Sequence, residues 1–270
     1  MDKELLPERM VLKLSENEFW LLAKYMGPGL VLGIDDPMRE MSEDEITQFE
    51  HKALQSLKEA GLLSIDPPSN IQIDKVLGAI VYSCIHEYDF LLVKQPIINE
   101  ERFYYFLPGW QVELNKTLTH YELSLFKERR DLFLHIFNSL FSDSNSGEND
   151  VKFTIGKLGL ETALFLYNSG QTQKSGQLLS ENSVGRIEDP IRFLKGYSKP
   201  SNHFIISFVR NLKKKDMKIR SDYELVHTET DLYWLSHGLD GEGGIPITYI
   251  LSISTKQAEE RFYRELGLFS

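Results

Sequence analysis

The feature that most constrains this chain is a set of strand-forming runs closed by a helix, from His86 to Phe141, whose outline returns between His203 and Leu268. In the first copy, EYDFLLVKQ (Glu87 to Gln95), RFYYFLPG (Arg102 to Gly109) and WQVELNK (Trp110 to Lys116) are aromatic and β-branched runs separated by turn residues. That is the pattern of an antiparallel meander. The next stretch, HYELSLFKERRDLFLHIFNSLF, is expected to be a helix. Thr119 can cap it, Glu122 stands three residues on as a capping box requires, and Leu123, Phe126, Arg130, Phe133 and Phe137 fall near helical spacing. In the second copy HFIISFVRN, DYELVHTETDLYWLSHG and IPITYILSIS supply strand material in the same order, and Thr255 precedes a terminal helix, KQAEERFYRELGLF.

Each copy is preceded by helices. Residues 1 to 10 are polar and expected to be loose. Ser15 and Glu18 then form a capping box for a helix whose apolar face is Phe19, Leu22, Ala23 and Met26, and Gly27-Pro28-Gly29 stops it. LVLGI is expected to be extended. Ser42 caps a second helix, with Glu43, Asp44 and Glu45 against the positive end of its dipole and a buried face of Ile46, Phe49, Ala53, Leu54 and Leu57. LLSIDPPSNIQID reads as an exposed connection into a third helix, from Ile73 to about Ile85. After Phe141 the run SDSNSGEND has no apolar residue and marks a boundary, dividing the chain into α+β halves 1–145 and 146–270. Beyond it, FTIGKLGLETALFLYNSG predicts a short extended piece and a helix, GQTQKSGQ a polar turn, and DPIRFLKGY a short helix with Pro190 in its first position. The halves thus share an order of helices, meander and closing helix.

The charge balance narrows the partners. With 30 Lys and Arg against 40 Asp and Glu, the 270-residue chain carries a formal charge of −10, which opposes nonspecific binding to nucleic acid or to an anionic membrane. The succession of helices ending in GLL, then helix and strands, also fits a winged-helix regulator, but Lys75 is the single cation of the segment that would read DNA. One cysteine, Cys84, leaves no disulfide to form and points to a reducing compartment. MDKELLPERM has no apolar stretch of a secretory leader, and no later run is long enough to span a bilayer, so the expected location is cytoplasmic.

Catalytic patterns are scarce. His227, Glu229, Asp231 and His237 could share a strand face and hold a metal, as in a metal-dependent hydrolase, yet no second ligand cluster completes the site. LDGEGG (Leu239 to Gly244) joins two strand-like runs, which makes it a hairpin loop and not a phosphate cradle. Cys84 sits among apolar neighbours as a small core residue, and His135 lies on the apolar side of a helix. These residues predict no enzyme, no cofactor and no metal. The basic run NLKKKDMKIR (Asn211 to Arg220) fits a solvated hairpin tip. QPIINEE (Gln95 to Glu101) is the opposite case, since Pro96, Ile97 and Ile98 bring two β-branched apolar residues to a turn. Either the strands extend further, or the turn is an apolar finger offered to another protein.

Taken together, LSENEFWLLAKYMG, the extended LVLGI, KALQSLKEAGLLSIDPPSNIQID and the late segment ETDLYWLSHG…IPITYILSISTKQAEERF resemble the EspG-like chaperones of type VII secretion systems. The resemblance runs over nearly the whole chain and contains no catalytic string. It implies an α+β fold of two quasi-symmetric halves around a central sheet, in a cytosolic protein without enzymatic activity. Such a protein binds helical-hairpin secretion substrates, WXG100-like or longer, near the hairpin tip and keeps them soluble for export. By correspondence the client would meet Pro96, Ile97, Ile98, Asn99, Glu100 and Glu101, together with Gln257, Glu260, Arg261 and Arg264 in the closing helical region. Neither the Asn211 to Arg220 run nor LDGEGG has a role in that family pattern.

Overall fold

The computed structural model describes residues 9–27, 37–66, 70–86, 89–107, 109–117, 120–141, 151–212, 216–240 and 244–267. LVLGI, SDSNSGEND and Thr119 lie outside them. The chain divides into two compact units, one of Met1–Leu92, Glu100–Leu134 and Arg210–Lys218, the other of Val93–Asn99, His135–Val209 and Ile219–Ser270.

The first unit opens with β1 (Arg9–Leu14), α1 (Glu16–Met26) and α2 (Glu43–Glu59). Both helices start on the capping boxes that their sequences predict. Glu18 N–H donates to Ser15 Oγ at 3.3 Å and Ser15 N–H to Glu18 Oε2 at 2.6 Å. Ser42 and Glu45 repeat the exchange at 3.4 and 2.8 Å. Glu18 Oε1 also accepts from the Ser56 hydroxyl at 2.6 Å, so one carboxylate caps α1 and ties it to α2. Ser15→Ala is therefore expected to destabilise the protein by about 1 kcal/mol in urea denaturation.

The connection after α2 is not a plain loop. β2 (Leu63–Asp66) and β3 (Asn70–Ile73) pair antiparallel, Leu63 opposite Ile73, and Leu63 is buried at the foot of the hairpin. α3 (Lys75–His86) begins on Asp74, whose Oδ1 accepts from the Val76 and Leu77 N–H groups, each at 2.9 Å. The meander follows as β4 (Asp89–Gln95), β5 (Glu100–Leu107), β6 (Trp110–Lys116) and β7 (Tyr121–Phe126), and then comes α4 (Arg129–Phe141). The strand order in this unit is β1-β7-β6-β5-β4.

Two expectations fail here for one reason. Tyr121–Phe126 is a strand, not the first turns of a helix, and residues 9 and 10 begin a strand instead of ending a loose terminus. β7 lies between β6 and β1, with Glu113 and Val11 both opposite Ser124. Tyr121, Leu123, Ser124, Leu125 and Phe126 are all buried, and the Tyr-Glu-Leu-Ser-Leu alternation is the period-2 pattern of a strand, with which the helical spacing of Leu123, Phe126, Arg130 and Phe133 competes. The helix starts three residues after Phe126, where Phe133 and Phe137 do keep helical spacing.

A second series of elements follows, with a single strand where the first has the β2–β3 hairpin, and makes up most of the second unit. β8 (Lys152–Gly156) leads into α5 (Lys157–Asn168), α6 (Thr172–Glu181), β9 (Ser183–Arg186) and α7 (Pro190–Ser198). Four strands, β10 (Asn202–Leu212), β11 (Asp216–His227), β12 (Leu232–Leu239) and β13 (Pro246–Ser252), precede α8 (Thr255–Gly267). Their order is β10-β11-β12-β13-β8-β9. The opening strand of each series pairs antiparallel with the fourth meander strand, β1 with β7 and β8 with β13.

GQTQKSGQ forms most of α6, where a polar turn is expected. Its buried face is built from Ser175, Gly176 and Leu179. A Cβ at Gly176 would stand 3.0 Å from Ile191 Cγ1, so small residues that look like turn formers are what allow α6 to lie close to α7. The basic run connects β10 and β11, neighbours in the sheet, as expected of a hairpin, but the strands are longer than the sequence suggests: Asn211–Leu212 belong to β10 and Asp216–Arg220 to β11, and 213–215 lie outside the described residues. The core of this unit gathers Phe153, Ile155, Leu160, Ala163, Leu179, Phe193 and Leu235 from β8, the three helices and β12.

Candidate functional site

The turn between β4 and β5 is set by Pro96 and Asn99. Ile98 N–H donates to Gln95 O at 3.2 Å and Asn99 N–H to Pro96 O at 3.3 Å, giving two overlapping turns. Proline fixes the φ that the first of them needs, and Asn99 closes the second at φ 53, a left-handed conformation that asparagine tolerates better than most residues. Ile97 and Ile98 thereby stand at the corner, 52% and 57% exposed. β5 does begin earlier than the sequence suggests, at Glu100, but the extension does not take these isoleucines into a strand. Glu100 is half-buried and receives the Arg102 guanidinium at 2.6 Å, while Glu101 is half-buried at the next position of β5.

Gln257, Glu260, Arg261 and Arg264 share the exposed face of α8, opposite Ala258 and Phe262, which are fully buried. Gln257 has a local task as well. Its Oε1 accepts from Ser254 N–H at 2.9 Å and its own N–H donates to Ser254 Oγ at 3.2 Å, a capping box that starts the helix. Of the four, Glu260, Arg261 and Arg264 form the outward charged stripe. The two groups of candidate residues therefore stand on separate elements, a hairpin turn and a helix.

The histidine and acid pattern between His227 and His237 is dispersed. His227 is buried between the rings of Phe141 and Phe204. Glu229 is exposed in the turn. Asp231 is buried and anchors the same turn, accepting from the Thr230 hydroxyl at 2.8 Å and from Arg192 Nη2 at 3.0 Å. Among the described residues no group of three or more His, Cys, Asp and Glu side chains is arranged to hold a metal ion. His237 turns to Glu224 on β11. Glu224 Oε1 lies 2.8 Å from His237 Nε2, its Oε2 lies 2.9 Å from His203 Nε2, and the Tyr197 hydroxyl donates to Oε2 at 2.9 Å. Burial pushes the Glu224 carboxyl up, but the hydrogen bonds from His203, His237 and Tyr197 and the charge of His203 outweigh it and hold the group well below the usual carboxylate range. This cluster joins α7, β10, β11 and β12, and its members are too far apart in sequence for spacing to reveal it.

Cys84 is buried and its thiol is pushed up by desolvation, so it is no nucleophile at neutral pH. α3, the segment a winged-helix reading would place in a DNA groove, turns Leu77, Ile80, Val81 and Cys84 inward and packs on β5 and β6. No helix among the described residues is long and apolar enough to cross a membrane.

No protein-family model matches the sequence, and no curated protein matches it. A solved structure matches in fold, that of the Mycobacterium tuberculosis type VII secretion system chaperone EspG5 in complex with the PE25-PPE41 dimer. The likeness covers 93% of this chain and 93% of that one, with a TM-score of 0.63 at 10% identity. The chain thus has an α+β fold similar to that of the chaperone along nearly its whole length.

Proposed function

We propose that the chain is a non-enzymatic, cytoplasmic chaperone of a type VII secretion system that binds a helical-hairpin client and keeps it soluble for export. The observation that carries this reading is the fold likeness to EspG5 over 93% of both chains. The client would be a WXG100-like or longer hairpin protein. Ile97 and Ile98 would cover its apolar tip, with Glu100, Glu101, Glu260, Arg261 and Arg264 at a charged rim that sets orientation. The same reading takes residues 1–145 and 146–270 as quasi-symmetric halves. The repeated order of elements supports it, as does the equivalent pairing of β1 with β7 and β8 with β13.

Co-expression with helical-hairpin proteins encoded beside this chain is the test. A soluble complex that co-purifies is expected, and recovery of every such protein without the chaperone would end the proposal. Ile97→Asp and Ile98→Asp should each weaken that complex at least about tenfold, the range of a central interface contact. The free protein should keep its melting temperature, because both side chains already face solvent.

A further inference from the structure

We propose that the outer edge of β9, with the groove beside it, is a second docking surface that takes an extended, acid-bearing segment of another protein as an added strand. The inference does not depend on the chaperone reading. β9 is the last strand of the order β10-β11-β12-β13-β8-β9, so its outward backbone groups have no neighbouring strand among the described residues. The β8–β9 register sets Lys152 opposite Arg186 and Thr154 opposite Val184, and Tyr249 on β13 lies opposite Thr154. Alternation puts these five side chains on one face and turns Phe153 and Ile155 to the core. Lys152, Phe153, Val184, Gly185, Arg186 and Tyr249 line a groove of about 430 Å³ there. Val184 is 81% exposed at its edge.

Gly185 holds this edge in place. Its φ is +130°, and an added Cβ would stand 2.3 Å from Lys152 O, so β9 lies closer to β8 than any other residue would permit. The edge it forms is four residues long.

Charge chooses the occupant. Lys152 and Arg186 put two cations beside the apolar floor of a chain whose net charge is −10, and Arg186 already attracts Glu188 at 2.5 Å. A second copy adding its own β9 would bring another Arg186, with Lys152 of its β8 behind it, toward the same cations, whereas a strand alternating apolar and acidic residues sets an apolar side chain over Val184 and carboxylates beside Lys152 and Arg186.

The experiment titrates the isotope-labelled full chain with a blocked octapeptide of alternating valine and glutamate, and with its valine–lysine counterpart, following backbone amide shifts. Shifts at Ser183–Arg186 with the acidic peptide alone are expected, and Lys152→Glu/Arg186→Glu should weaken them about five- to tenfold, as two exposed ion pairs allow. If that variant does not fold, Val184→Asp carries the same comparison. The proposal is overturned if these amides do not move at millimolar peptide, if both peptides act equally, or if the β9 amides shift with protein concentration while sedimentation shows a dimer.

Discussion

Phe193→Ala should lower the unfolding free energy by about 3–5 kcal/mol, the cost of removing a large buried aromatic with incomplete relaxation around it. Phe193 lies in the middle of α7 and is fully buried. Its ring meets Phe153 edge-on at 5.3 Å, Tyr233 edge-on at 5.1 Å and Tyr197 at 5.8 Å, so one side chain holds β8, β12 and its own helix together. Asp189 fixes the position by accepting from Arg192 N–H at 2.9 Å, with Pro190 behind it in the first turn. Urea denaturation followed by near-ultraviolet dichroism measures the effect. A loss under about 1 kcal/mol would mean that the surrounding side chains collapse into the space, which rings held by three separate elements should not be able to do.

Glu224→Gln is the second large effect, at about 2–3 kcal/mol near neutral pH, because it withdraws a charge-assisted acceptor from three buried or half-buried partners. The Glu224 side chain is 15% exposed, and its two oxygens serve His237 on one side and His203 with Tyr197 on the other. An amide can satisfy one side by accepting but must offer N–H groups to the other. The pH dependence separates this account from simple loss of packing. A carboxyl whose folded pKa is depressed contributes its full stability above the unfolded value, about 4.3, and loses it as pH falls toward the folded value. Stability of the parent protein between about pH 5 and pH 3 should therefore fall more steeply than that of Glu224→Gln. Parallel slopes would show that the carboxylate is not held in its charged form by this cluster.

Local chemistry was legible wherever a segment carried its own signal. Ser15 with Glu18, Ser42 with Glu45, and Pro190 all start helices where their sequence positions say they should, since a cap is decided within one turn. The Pro96-Ile97-Ile98 corner was open to two readings, longer strands or an exposed turn, and the hydrogen bonds of Ile98 and Asn99 back to Gln95 and Pro96 are what make it a turn. Tyr121–Phe126 misled because its Tyr-Glu-Leu-Ser-Leu alternation is short and runs on into residues at helical spacing, and its partners β1 and β6 are what make it a strand. α6 misled because Ser175 and Gly176 were read by their turn propensity, while their small volume against Ile191 is what the fold uses. The Glu224 cluster depends on the register that sets Glu224 opposite Leu235, with His237 two residues further along the same face of β12, which no spacing within one segment encodes.

The pairing of β1 with β7 and of β8 with β13 bears on how the chain is made. Residues 9–14 find their partner when 121–126 have been synthesised, and residues 152–156 wait for 247–251. β1 therefore stays unpaired, and β8 keeps one edge open although β9 can cover the other, through roughly a hundred residues of synthesis, some five to twenty seconds at ordinary elongation rates. Closing loops of that length is slow, and an exposed strand is what misassembles in the meantime. During its own birth the protein is the kind of nascent chain that needs shelter, with sequence-distant edges left open until the last strand of each series leaves the ribosome.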